Sequence, residues 1–107
     1  MARLLSPLHQ HVLLAMIDAK GEVTTTGIYE ALAARLKRVS LGAIYVTLDR
    51  LIEKKFITRR RGEPLPERGG KARYYYKITN SGRAAVIETQ KAITSWGSVL
   101  GKLSTAG

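Results

Sequence analysis

Apolar side chains in the first half of the chain recur every three to four residues, the spacing of one helical face. Leu8, Val12, Ala15 and Met16 predict a first helix over 8–19, with Ser6 as N-cap, Pro7 at the first helical position and Lys20-Gly21 as its end. Ile28, Leu32 and Leu36 repeat every four residues and predict a second helix over 27–36, with the hydroxyls of Thr24, Thr25 and Thr26 available as caps. After the short connection Lys37-Arg38-Val39, Ser40 caps a third helix over 41–54, whose apolar stripe is Leu41, Ile44, Leu48, Leu51 and Ile52.

The period then changes. An extended segment begins at Phe56-Ile57-Thr58, and residues 62–70 contain three Gly, two Pro and three charged side chains, a composition no helix tolerates. The aromatic run Arg73-Tyr74-Tyr75-Tyr76-Lys77-Ile78 is a second strand, pairing antiparallel with the first across a loop of about ten residues. Ile78 points to the core, so Tyr74 and Tyr76 on its face pack under the hairpin, while Tyr75 and Lys77 face outward. Thr79 caps a last helix over 80–103; Gly82 in its first turn costs somewhat under ~1 kcal/mol of helix propensity.

Three short helices, a hairpin with a long basic tip and a long final helix form the winged helix-turn-helix arrangement. The expected class is α+β, mostly helical, with a two-stranded β-hairpin wing and a long C-terminal helix. Residues 1–79 form the winged domain and 80–107 the C-terminal dimerisation helix.

Composition sharpens this picture. A chain of 107 residues at 45% hydrophobic content forms one domain with a thin core. With 18 Lys+Arg against 8 Asp+Glu, the net charge of +10 attracts polyanions, a property shared by nucleic-acid-binding proteins and membrane-surface peptides. The absence of cysteine excludes disulfides and thiolate metal sites. The first 14 residues hold no stretch suited to a membrane span or a signal-peptide core, so a cytoplasmic location is expected.

The face of the third helix opposite the apolar stripe carries Gly42, Val46, Asp49, Arg50 and Glu53, flanked by Ala43, Tyr45, Thr47 and Lys54. Small or uncharged side chains dominate its first turns, as close approach to base edges requires. Val46 suits contact with a thymine methyl, although it also reads as an ordinary exposed apolar residue. Asp49 and Glu53 repel phosphate and limit duplex contact to the N-terminal half. Around the hairpin gather Arg59, Arg60, Arg61, Arg68, Lys71 and Arg73, suited to phosphate or minor-groove contact. The candidate DNA-binding set is therefore Thr26, Ser40, Gly42, Ala43, Tyr45, Val46, Thr47, Arg50 and these six cations.

In the last helix Val86, Ile93 and Leu100 are spaced by seven, as are Thr89, Trp96 and Leu103. A monomer of this size cannot cover both apolar tracks, so a second copy is the expected cover. A homodimer also supplies the two-fold symmetry that a palindromic operator requires.

Two segments resemble a known family. Ser40-x-x-x-Ile44-Tyr45-x-x-Leu48-x-x-Leu51 and Arg73-x-Tyr75-Tyr76-x-Ile78-Thr79-x-x-Gly82 are similar to the recognition-helix and strand-to-helix signatures of the PadR-like transcriptional regulators, small bacterial winged-helix repressors. The resemblance spans about residues 8–103 and is closest to the short forms, which end in a single helix. It implies a homodimer, double-stranded operator DNA and a small-molecule effector that relieves repression. Ser95-Trp96-x-x-Val99 looks like the stretch with which short-form members take up planar aromatic molecules between subunits, making Trp96 a candidate effector-binding residue; a plain interface anchor is the alternative. Val46 departs from the pattern where many members have proline, and Lys55-Phe56 departs where a glycine commonly ends the helix.

No catalytic constellation is present. His9 and His11 fall on different faces of one helix with no third ligand, so no metal site is expected. The glycines of 62–71 lack P-loop spacing, and no cofactor is expected. A winged helix that binds RNA or protein without operator specificity is the alternative to a DNA-binding regulator.

Overall fold

The computed structural model describes residues 4–64 and 72–105. Its elements in order are α1 (Pro7–Ala19), α2 (Thr25–Ala33), α3 (Leu41–Glu53), β1 (Ile57–Pro64), β2 (Ala72–Ile78), α4 (Asn80–Thr94) and α5 (Gly97–Thr105). Each of α2, α3 and α4 begins with a hydroxyl that accepts a backbone N–H three residues on: Thr24 from Gly27, Ser40 from Ala43 and Thr79 from Gly82, each at 3.1 Å. These bonds satisfy donors that a helix start otherwise leaves open. Ser6 sits at the N-cap of α1 without a side-chain bond, and Pro7 alone sets that helix's start.

The core lies where α1, α2, α3 and the base of the hairpin converge. Val12, Leu13, Met16, Ile28, Leu32, Ile44, Leu48, Leu51 and Ile57 are fully buried, and Tyr76, Ile78 and Val86 close the cluster. On α3 the buried set is Ile44, Thr47, Leu48 and Leu51, whereas Leu41 is exposed. The core stripe is thus turned from the expected one and takes in Thr47. Leu13, outside the predicted stripe, is buried because α1 is covered by α2 and α3 on one side and by α4 on the other.

β1 and β2 pair antiparallel from Ile57↔Ile78 to Arg61↔Tyr74, with a register shift between Arg61 and Pro64. Val23, in the α1–α2 connection, joins the other edge of β2 through both backbone bonds with Tyr76, at 2.9 and 2.8 Å. Tyr76 is buried as expected, but Tyr74 is exposed, because this end of the hairpin extends past the helices that cover Tyr76.

The end of α3 is locked to the start of α4. Lys55 adopts a left-handed conformation (φ 63°), the Lys55 N–H donates to the Ile52 carbonyl, and the Phe56 N–H donates to the Leu51 carbonyl. This is the double bond of a Schellman ending, with lysine where glycine is the usual occupant. The Phe56 carbonyl in turn accepts the Thr79 N–H at 2.9 Å, and the Thr79 hydroxyl donates to the Lys55 carbonyl at 2.8 Å.

The predicted final helix is interrupted. α4 ends at Thr94, the Ser95 hydroxyl donates to the Ala92 carbonyl at 2.6 Å, and α5 resumes at Gly97. A side-chain bond at the last turn and the low helix propensity of Gly97 both favour a break there. α5 stands away from the three-helix body, and the molecule is elongated, 59 × 31 × 22 Å.

Candidate nucleic-acid interface

α3 is amphipathic, and its outward face carries what the core does not need. Tyr45 and Val46 are about half exposed, and Gly42, Asp49, Arg50 and Glu53 are exposed beside them. A Cβ at Gly42 would meet nothing within 4 Å, so packing within the chain does not demand glycine at that position. Ser40 is exposed at the tip, engaged as the cap, and Ala43 is half-buried. Thr26 is exposed in the first turn of α2. Thr47 differs from the sequence expectation: at 3% exposure its side chain faces the core one turn from Ile44 and Leu51. In this conformation it cannot present its hydroxyl to a base.

Two cations join the site that the sequence pattern marks only as a connection. Lys37 and Arg38 are exposed beside the N-terminus of α3, lining a shallow hollow with Leu8, Val39, Ser40 and Ala43. Two basic residues just upstream of a capping serine, separated from it by Val39, were the signal, since a helix N-terminus and nearby cations favour the same anion.

The wing presents Arg59, Arg60, Arg61 and Arg73, all exposed. The Arg59 guanidinium lies 4.8 Å over the Tyr74 ring, and that of Arg60 lies 4.7 Å over the Tyr75 ring, both cation–π contacts. Arg60 is also bound by Glu22, its Nε–H donating at 2.8 Å and its Nη2–H at 2.9 Å to the two carboxylate oxygens. Glu22 comes from the α1–α2 connection and is distant in sequence, so the residues near the hairpin gave no sign of it. Its hydrogen bond to Arg60 holds the Glu22 carboxyl below its usual pKa and raises that of Arg60. Arg68, Lys71 and the Gly69-Gly70 tip lie outside the described residues.

On the predicted dimer tracks, Val86 and Thr89 belong to the chain's own core. Thr89 is 1% exposed and its hydroxyl accepts the Leu5 N–H at 3.0 Å, so it ties the N-terminal segment to α4. Ile93, Trp96, Leu100 and Leu103 remain exposed, the last three at 66, 66 and 71%. Leu14 and Ile87, which lie outside the heptad tracks, extend this apolar surface into a groove between α1 and α4 that Ile17, Gln90 and Thr94 also line.

His9 is half-buried on α1, and burial, then the charges of Lys54 and Arg50 at the end of α3, lower its pKa, which favours the neutral ring. Among the described residues no group of three or more His, Asp or Glu side chains could hold a metal ion. No described helix is long and apolar enough to cross a membrane.

Comparison with known proteins places this geometry. A search of curated protein sequences finds no match. Among solved structures, a protein described as a transcriptional regulator from Thermoplasma acidophilum superposes with a TM-score of 0.69 over 94% of both chains, at 16% identity. A PadR-like transcriptional regulator from Bacillus cereus aligns over 92% of this chain and 89% of its own, with 26% identity and a TM-score of 0.66. A variant of MarR from E. coli, solved in complex with operator DNA, aligns over 81% of this chain at 25% identity and a TM-score of 0.59; the match spans 54% of the MarR chain. The model of the transcriptional regulator PadR-like family matches residues 13–88, from the middle of α1 through most of α4. The chain belongs to the PadR-like family, a family of DNA-binding transcriptional regulators rather than enzymes.

Proposed function

We propose that the protein is a cytoplasmic homodimeric repressor that reads a palindromic operator, with the N-terminal half of α3 in the major groove and the wing on the flanking backbone. One observation carries this reading. The start of α3 is exposed and largely uncharged, exposed Lys37 and Arg38 precede it in the chain, and the hairpin that follows α3 exposes Arg59, Arg61 and Arg73. Gly42 leaves room for a base edge, Val46 offers a methyl surface, and Arg50 reaches further along the groove. The carboxylates of Asp49 and Glu53 confine contact to the first turns. RNA or protein recognition accounts less well for an uncharged helix start with exposed cations before and after it in the chain.

The DNA fragments that the protein retains from its own genome test the proposal. The expected fragments share a palindrome whose half-sites lie about 34 Å apart, one helical turn. Arg59→Ala or Arg61→Ala should weaken binding to every duplex and lower the salt slope by about 0.9 for each phosphate no longer neutralised. Arg50→Ala should instead redistribute preference among operators, by about 1–3 kcal/mol at the affected base pair. Equal affinity for random and genomic fragments at ~0.15 M salt, where the Debye length is about 8 Å, would overturn the reading.

The proposed effector is a planar aromatic molecule held between subunits at Trp96. Trp96 is exposed at the α4–α5 break, and a Cβ at Gly97 or Gly101 would meet nothing within 4 Å, which leaves space beside the indole. Two such indoles across a two-fold axis could hold a flat ring by stacking. Titrating planar dyes should quench the single tryptophan's fluorescence, saturating at one ligand per dimer. Unchanged emission across the panel would leave Trp96 as an interface anchor.

A further inference from the structure

The outer face of the hairpin holds a brace that runs across three segments of backbone. Val23 fixes the α1–α2 connection to the edge of β2, and Glu22 beside it reaches over that strand to Arg60 on β1. Arg60 stands opposite Tyr75 and lies over its ring. A Cβ at Gly62 would lie 2.5 Å from Tyr75 Cε2, so the ring fills the space that any other residue's side chain would need. Glu22, Arg60, Tyr75 and Gly62 therefore form one connected unit, and two of Arg60's donors are committed within it.

We propose that Glu22 is a positioning residue for DNA selectivity: it withholds Arg60 from phosphate and fixes the wing's pitch relative to α3. A bidentate carboxylate on a planar guanidinium restrains both direction and distance, which a single lysine contact would not. Were Arg60 free, it would bind any phosphate within reach and strengthen binding to every sequence equally. The acid that touches no DNA thus lowers non-specific affinity, and selectivity is the difference between the two affinities.

This inference rests on the DNA-binding reading, so its test begins without DNA. In the free protein the Arg60 Nε–H should exchange slowly with solvent by NMR and become fast in Glu22→Gln. Equal exchange in both would overturn the brace itself. With duplexes, Glu22→Gln should steepen the salt slope of the dimer for random DNA by about 1.8, one further phosphate neutralised by each subunit. That corresponds to roughly sixtyfold tighter random binding at ~0.1 M salt relative to a 1 M reference, and the ratio of operator to random affinity should shrink. A change in fold stability alone would not move the slope. Arg60→Ala in the otherwise unchanged protein should leave the slope where it was; a fall equal to that of Arg59→Ala would show Arg60 on phosphate and sink the proposal. If the wild-type protein fails to discriminate an operator while the exchange result stands, the DNA reading fails and the brace does not.

Discussion

Leu100→Asp should yield monomers at micromolar concentration in sedimentation equilibrium, with the winged domain still folded. Leu100 is 66% exposed on α5, outside the buried core, so the substitution removes nothing that holds one chain together. In a symmetric pair the residue counts twice. Full burial of a leucine contributes about 1.5–3 kcal/mol, so burying the roughly two-thirds still exposed on each of two copies accounts for about 2–4 kcal/mol, some thirtyfold or more in dissociation constant. A carboxylate in the same seam adds a desolvation cost. Val86→Asp would be uninformative by contrast, because Val86 is 4% exposed within the chain's own core. A Leu100→Asp protein that stays dimeric would move the interface off α5, to the groove between α1 and α4 where Leu14 and Ile87 are exposed.

Gly82→Ala should be the most damaging glycine-to-alanine change among the described residues. Propensity alone predicts a gain, since alanine favours a helix over glycine by up to about 1 kcal/mol. The added Cβ would instead lie 2.8 Å from Ile78 Cγ1 and closer still to the Phe56 carbonyl oxygen. That oxygen cannot retreat, because it accepts the Thr79 N–H that sets the start of α4. Overpacking of this kind costs about 1–3 kcal/mol or more, and the clash with backbone puts it at the upper end. Thermal unfolding should show a loss of ten degrees or more, at roughly 4–8 °C per kcal/mol for a domain of this size. An unchanged melting temperature would mean that α4 can lift away from Phe56 without loss.

The local parts of this fold were legible because each has a local cause. Thr24, Ser40 and Thr79 cap the helices they were expected to cap, and Ile57 and Ile78 anchor the hairpin whose aromatic run announced it. What escaped depends on residues far apart in the chain. Thr47 looks like a flank residue on an isolated helix; only the packing of α1 and α2 against α3 turns it inward. Thr89 looks like a flaw in a heptad until the Leu5 N–H is seen to use its hydroxyl. Glu22 and Arg60 are separated by 38 positions, and no periodicity connects them. The break after Thr94 was local but weak in signal, because one glycine inside an apolar repeat is usually tolerated.

That break has a mechanical consequence. In the proposed dimer, each reading head would hang from its partner through a joint at Ser95-Trp96, not through a continuous rod. A rod transmits displacement unchanged, whereas a joint at the foot of a lever magnifies it: a few degrees of rotation there would move a recognition helix by ångströms. The distance between the two heads would then be an elastic quantity with its own stiffness. A molecule lodged beside the indole would act on that stiffness directly, without having to perturb the packed core between it and the DNA.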